Sequence, residues 1–277
     1  MEAKSVCILM STYNGVPYLQ AQLDSLFNQR GVRVELLVRD DGSSDDTRSM
    51  LEAEQREGRL SWYGGDNRGP AGSFLDLLLK AGDTYDFYAF ADQDDVWRPT
   101  KLADCVQAMM QQPDWECTPV VVATDLCVVD DNLNTIADSF WRQNNYSVSL
   151  CNNKYFHLVY NNIPGCSMLF NRAARAAALA EGDGGALMHD SWLVACTLWG
   201  GGRVVPLEQT YVLYRQHQKN VLGSTPVPSY FSQVCRFREL WRKMGEEWSS
   251  VRKIAHIGFC RFVCVKMYYM IRLHLGI

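Results

Sequence analysis

No stretch of this chain reaches the roughly 18 uncharged apolar residues that a membrane-spanning helix needs, so the sequence offers no span of that kind. Its ten cysteines include no Cys-x-x-Cys pair, which argues against a zinc ribbon, a redox dithiol or a disulfide framework. Several, such as Cys7 and Cys127, lie inside apolar runs, as buried reduced thiols of the cytosol do. The first residues, Met1 to Lys4, run straight into the apolar segment Ser5 to Met10, which is too short and too abruptly followed by polar residues for a signal peptide. Secretion is therefore not expected. The polar residues that follow, Ser11-Thr12-Tyr13-Asn14, are not the glycine-rich basic loop that would receive a triphosphate in a nucleotidyltransferase. There is no internal repeat.

What is present suits a large folded unit. With 277 residues, 47% of them hydrophobic, the chain can bury one substantial core, with or without an appendage. Its net charge of −4 hides an asymmetry: residues 225–277 carry nine Lys and Arg against three Glu, while the rest carries 18 basic and 28 acidic residues. An acidic body with a basic, aromatic-rich tail implies that the two parts meet different partners. The boundary is set at Pro226 and Pro228, giving a body over 1–224 and a helical extension over 225–277. The tail has no recognised nucleic-acid motif, and the acidic body repels nucleic acid.

Along the body, apolar runs alternate with helical spacing. Strands are expected at 6–10, 34–38, 60–63 and 85–90, separated by helices at 16–29, 48–57 and 73–81. Beyond Pro99 the pattern becomes mixed: a helix over 100–111, a strand over 120–126, an apolar run over 167–170, a helix over 173–180 and another starting near His189. Further strands are expected at 204–206 and 210–214. Such an α/β alternation predicts a parallel sheet with ligands at the carboxyl ends of its strands. Three polar loops, 11–15, 40–47 and 92–95, fall at those ends and should converge on one crevice.

The most chemically loaded of these is Asp92-Gln93-Asp94-Asp95. Carboxylates this close repel one another unless a cation or ligand compensates, and oxygen ligands of this kind suit Mg2+ or Mn2+ carrying a phosphate ester. An acidic loop that merely caps the following helix is the competing reading. Likewise Asp45 or Ser43 can cap the helix after the 40–47 loop. His157 and His256 have no motif around them and are assigned to packing or solvent.

The ordered series Ser11-Thr12-Tyr13-Asn14, Asp40-Asp41-Gly42-Ser43-x-Asp45-x-Thr47, Asn67-x-Gly69, Asp92-x-Asp94-Asp95, Gly165-Cys166-Ser167 and His189-Asp190 resembles family 2 glycosyltransferases of the GT-A fold, over residues 5–222. Phe90-Ala91-Asp92-Gln93-Asp94-Asp95-Val96-Trp97, with His189-Asp190-Ser191-Trp192-Leu193 and Tyr214-Arg215-Gln216-His217, is most similar to bacterial rhamnosyltransferases of polysaccharide assembly.

The resemblance implies a Rossmann-like nucleotide-diphospho-sugar transferase fold: a mixed sheet flanked by helices, with the C-terminal helical extension added. It also implies roles. Thr12, Tyr13 and Asn14 would lie against the nucleotide, Asp41 with Asp40 behind it would accept from a uracil or thymine imide, and Asn67 and Arg68 would wall the base or phosphate pocket. Asp92 and Gln93 would sit near the ribose. Asp94, with Asp92, would hold Mg2+ or Mn2+, and Asp95 would support the loop or cap the next helix. His217 is a further metal or diphosphate contact or an ordinary loop histidine, and Arg215 or Lys219 would meet phosphate. Asp190 takes the place of the family's catalytic base, unless it only caps its helix. Gly165, Cys166 and His189 would line the acceptor side, with Trp192 a platform for a sugar face or a core residue.

The function implied is an inverting, metal-dependent cytoplasmic enzyme using dTDP-L-rhamnose to extend a lipid-linked saccharide of a bacterial surface glycan. A UDP-hexose donor is the alternative, followed by a nucleotidyltransferase or a non-catalytic nucleotide-sugar binder. The tail would lie on an anionic membrane, pack on the body or form a dimer interface.

Overall fold

The first apolar run forms a strand covered on both faces. In the computed structural model, which describes residues 3–182, 185, 187–217 and 237–275, β1 (Ser5–Thr12) is buried along nearly its whole length. Such burial is what helices on both sides of a sheet produce. β1 lies between β2 (Arg33–Asp40) and β4 (Phe87–Asp92), parallel to both, and β3 (Ser61–Gly64) lies parallel outside β2. The connections run through α1 (Leu19–Phe27), α2 (Thr47–Arg56) and α3 (Gly69–Lys80).

Past β4 the sheet becomes mixed. β8 (Met168–Asn171) is antiparallel to β4 and to β6 (Val120–Val129), whereas β9 (Arg203–Arg215) is parallel to β6. The two-residue β5 (Val96–Trp97) closes the edge against β9, and β7 (Thr135–Ala137) pairs with β6. The order is β3-β2-β1-β4-β8-β6-β9-β5. This corrects the parallel sheet expected from strand–helix alternation: β8, β5 and β7 run antiparallel to their neighbours, and the whole is the mixed sheet implied by the resemblance. The two strands expected at 204–206 and 210–214 are one 13-residue strand, irregular where its register against Thr124 and Asp125 slips.

Side-chain alternation divides the core in two. Val6, Ile8 and Met10 point with Phe87 and Ala89 toward α1 and α4 (Lys101–Met110), while Cys7 and Leu9 join Tyr88, Phe90 and Phe74 on the other face. That second core continues through α6 (Arg172–Ala180) and α7 (His189–Trp199) into the C-terminal pair α8 (Phe237–Ala255) and α9 (Phe259–Leu275). Val251, Ile254, Ile257 and Phe262 are buried there with Trp192 and Leu193. The extension thus shares the core of the body, one of the arrangements weighed from sequence. The proposed hinge at Pro226 and Pro228, and Lys219, lie outside the described residues.

Register is what positions the site. Thr12 pairs with Asp40 and Ser11 with Asp92, so the loops after β1, β2 and β4 open side by side at one edge, as the strand-end reading required.

Candidate active site

At the end of β2, two adjacent aspartates serve separate networks. Asp40 is fully buried and accepts from the Ser43 backbone N–H (3.0 Å) and hydroxyl, Arg48 Nε (2.6 Å) and the Thr12 hydroxyl (3.3 Å). Burial alone would raise its pKa, but the Ser43 and Arg48 donors outweigh that and hold it below the ordinary carboxylate range. Thr12 is itself fully buried, so it braces the loop from behind, a correction to its expected place against the nucleotide. Gly42, at φ 90°, makes the turn that swings Ser43 back onto Asp40.

Asp41 lies 3% exposed, its Oδ1 accepting from the Arg39 guanidinium and the Arg68 backbone N–H (2.8 Å). Arg39, 2% exposed, also donates to Asp76 (3.1 Å), Ser73 Oγ (3.1 Å) and the Asp66 carbonyl (2.9 Å). A buried guanidinium is tolerated when its donors are matched in this way. Sequence reasoning passed over Arg39; the signal available was a charge between the apolar run Leu36 to Val38 and two aspartates. The Arg68 side chain remains largely exposed, 3.6 Å from Asp76, and Asn67 Oδ1 accepts from the Gly69 N–H at 3.1 Å.

Tyr13 and Gln93 clamp each other. The Tyr13 N–H donates to Gln93 Oε1 (2.9 Å) and Gln93 Nε2 donates back to the Tyr13 carbonyl (3.0 Å), leaving the phenol ring 49% exposed at the mouth. Asn14 adopts φ 48°, donates its N–H to Ser43 Oγ (2.9 Å) and accepts from the Ser44 N–H (2.9 Å). Asp45 accepts from the Thr47 N–H at the start of α2 (3.1 Å), while the cap position expected for it falls to Asp46.

The four residues after β4 are not equivalent. Asp94 Oδ2 stands 2.7 Å from His217 Nε2, and the imidazole stacks on Tyr18 with ring centroids 4.8 Å apart. Asp95 is fully buried, takes the Arg215 N–H at 3.1 Å on one oxygen and leaves the other, Oδ2, without a hydrogen-bond partner. It does not cap α4, which begins six residues on. Arg215 is 4% exposed: its Nε donates to the Asp94 carbonyl (2.8 Å), its Nη1 to the Asp131 carbonyl, and its guanidinium lies over Tyr18. It braces the acidic loop from beneath, which corrects its expected role as a phosphate ligand. Lys101, also missed from sequence, is fully buried with Nζ 3.5 Å over the Trp97 ring; burial pushes its pKa down to about 8, against the pull of Asp95.

Asp92 is raised to about 7, by burial first and then by the charges of Asp94 and Asp190. Asp94 and Asp190 therefore both lie near enough for their charges to act on Asp92, and a cation there would relieve it. Asp92, Asp95 and Cys166 also bring ligand atoms within 4.8 Å of one another. Burial and the two aspartates hold the Cys166 thiol well above its usual range, and a neutral thiol suits a hard cation poorly. Asp94 and His217, partly exposed at the mouth, form an oxygen–nitrogen pair that fits Mn2+ better, with Asp92 behind them.

The N-terminus of α7 separates its residues by helical phase. Asp190, in the first turn, accepts from the Ser191 N–H at 2.6 Å and hydroxyl at 3.3 Å, while Met188 holds the cap position. Burial pushes Asp190 up to about 6, against the hydrogen bonds of Ser191 and the Gly165 backbone. His189, about 100° away round the helix, turns into the core: it stacks on Phe74 at 3.9 Å and meets Phe90 edge-on at 4.8 Å. Both its nitrogens lack partners and burial drives its pKa down to about 3, so it is neutral. Trp192 is fully buried and donates Nε1 to the Ala178 carbonyl at 3.0 Å. Both side chains are buried in the core, a correction to their expected places on the acceptor side.

Gly165 and Cys166 are buried as well, in a 3-10 turn (Gly165–Ser167) that runs between the acidic loop and Asp190. They join the two halves of the site, with the Gly165 backbone hydrogen-bonded to Asp190. A Cβ on Gly165 would lie 2.6 Å from His189 Nε2, so glycine lets the imidazole close under the turn.

The sequence profile described as Glycosyl transferase family 2 matches residues 7–176. Among curated proteins, the chain is 32% identical over 134 residues to an uncharacterized glycosyltransferase of Nostoc, covering 47% of this chain and 39% of that one. It is 31% identical to the dTDP-rhamnosyl transferase RfbG of Shigella flexneri, covering 36% and 37%. It is 33% identical to WfgD of Escherichia coli, described as a UDP-Glc:alpha-D-GlcNAc-diphosphoundecaprenol beta-1,3-glucosyltransferase, covering 40% and 43%. The matched segments thus span about two fifths of each relative. In structure, the fold resembles S. aureus TarS 1-349 in complex with UDP-GlcNAc (TM-score 0.66, 16% identity, 98% of this chain and 73% of that one). It also resembles the mannosyltransferase PcManGT of Pyrobaculum calidifontis with GDP-Man and Mn2+ (TM-score 0.60, 18% identity, 99% and 71%).

Proposed function

Because the chain belongs to glycosyl transferase family 2, we propose that it transfers a sugar, L-rhamnose from dTDP-L-rhamnose, onto a lipid-linked saccharide at the cytoplasmic face of a bacterial membrane. The observation that carries the reading is the convergence of Asp94 and Asp190 on Asp92 at the end of β4, where the charges of both raise the Asp92 carboxyl beyond what burial does. RfbG supports the donor, and WfgD, with its diphosphoundecaprenol acceptor, supports the class of lipid carrier.

In this reading Tyr13, Asn14, Asp41, Asn67, Arg68 and Gln93 surround the nucleotide, with Arg39 fixing the Asp41 carboxylate. Asp94, His217 and Asp92 would hold Mg2+ or Mn2+, which when bound supplies positive charge against the donor diphosphate and its leaving nucleotide. Asp190, set across the 3-10 turn from the acidic loop, takes the proton of the attacking acceptor hydroxyl. One base and no protein nucleophile give a single displacement with inversion at the anomeric carbon. Its raised pKa suits that task, since a base titrating near the working pH accepts a proton readily in the transition state.

A donor panel with Mn2+ or Mg2+ and a lipid-linked acceptor, scored by nucleotide release, tests the assignment. Activity with dTDP-rhamnose is expected, and activity confined to UDP-hexoses would overturn the rhamnose reading while leaving the transferase intact. His217→Ala should weaken Mn2+ binding by about 10- to 100-fold, measured by metal titration of the purified protein. Unchanged metal affinity would leave His217 a structural partner of Asp94 and Tyr18.

A further inference from the structure

The final helix turns an uncharged stripe away from the body, with Arg261 beside it. α9 buries Phe262 and Tyr269 against the body, and a surface helix ordinarily turns charge to the opposite face. Here the exposed positions include Cys260, Cys264, Met267, Tyr268 and Ile271. Their spacing of four, three, one and three residues draws a single stripe along the helix, and none of them is charged. Met267, Tyr268 and Ile271 keep 45%, 57% and 52% of their surface in solvent.

Cations border the stripe. Exposed Arg261 donates to the Tyr155 hydroxyl at 3.1 Å and stands at the rim of an open groove of about 340 Å³, lined also by Val265, Tyr268 and Tyr269. α9 contains no acidic residue, and the adjoining α8 ends its last turn in exposed Arg252 and Lys253. No single helix among the described residues is long and apolar enough to cross a bilayer, and α8 and α9 meet at a bend of 106°. Threading the pair through hydrocarbon would also bury Arg242, Glu246, Arg252 and Lys253. A second copy seated on the stripe would bring its own Arg261, Arg252 and Lys253 to a helix that offers them no acidic residue.

We infer that α9 lies flat on an anionic phospholipid surface, its uncharged stripe among the acyl chains nearest the headgroups and Arg261 with the α8 cations at the headgroup phosphates. This draws its purpose from the lipid-linked acceptor proposed above, but its test needs neither donor nor acceptor. The intact chain is sedimented with vesicles of phosphatidylcholine alone or with about one third phosphatidylglycerol. Binding to the anionic vesicles should exceed that to the neutral ones by about tenfold and weaken with salt. Met267→Glu with Ile271→Glu should lower it by about tenfold or more, with an unchanged circular dichroism spectrum and unchanged donor hydrolysis. Equal binding by wild type and variant would overturn the inference. So would absence of binding, whether or not the wild type forms a dimer that the variant loses. A chain that binds vesicles yet releases no nucleotide from any donor would sink the enzymatic reading alone.

Discussion

Replacing Asp190 with asparagine should cut sugar transfer by about a thousandfold while leaving nucleotide binding intact. A positioned base contributes roughly 10²- to 10⁴-fold, and asparagine keeps the shape while removing the proton acceptor. In the unaltered protein the rate should rise about tenfold per pH unit and flatten above about 6, where burial places the pKa of Asp190. The same shift has a consequence for stability. A carboxylate raised above its unfolded value of about 3.9 costs nothing below that pH and an increasing amount as pH climbs through the folded value. Asp190→Asn should therefore melt at a higher temperature than the unaltered protein near neutral pH, with the gap closing toward about pH 4. A variant that is inactive and also less stable would mean that Asp190 is structural. Full activity would remove it from the mechanism.

Trp192→Ala should destabilise the fold by about 3–5 kcal/mol, the usual result of deleting a large buried aromatic side chain. Trp192 is fully buried among Val194, Ala195, Leu198 and the helices α6, α8 and α9, and its truncation also strands the Ala178 carbonyl. Denaturant unfolding would register the loss as a lower midpoint. Were Trp192 a stacking platform for sugar, the opposite pattern would follow: a raised KM for acceptor with stability unchanged. The two residues on either side of Ser191 thus predict separable effects, Asp190 on rate and Trp192 on folding.

That separation shows what a linear reading can and cannot reach. β1 and β4 are legible because five apolar residues in a row form strands where they are covered, β2 because Leu36 to Val38 lead into two aspartates, and the aspartates that end β2 and β4 mark the ligand edge. Arg39 was not legible. Its burial depends on Asp76 and Ser73, more than 30 residues away, which α3 brings over the end of β2. Arg215 reads in sequence as a phosphate ligand because a guanidinium can meet phosphate; in the fold its Nε and Nη1 donate to the Asp94 and Asp131 carbonyls. His189 and Asp190 are neighbours in sequence, but a rotation of about 100° sends one between Phe74 and Phe90 and the other toward Asp92.

By itself the sequence determined the family, the strand ends and the carboxylates that can do chemistry, because residue type, alternation and spacing are local properties. The tertiary structure alone decided which member of each motif faces the crevice. Asp94 met His217 and Asp95 met the backbone of Arg215 only because β9 runs beside β5 and β6. Trp192 joined the core only because α8 and α9 fold over α7. These contacts join positions up to about 120 residues apart, and the packing that closes such distances also sets which polar groups lose water, and with it their charge.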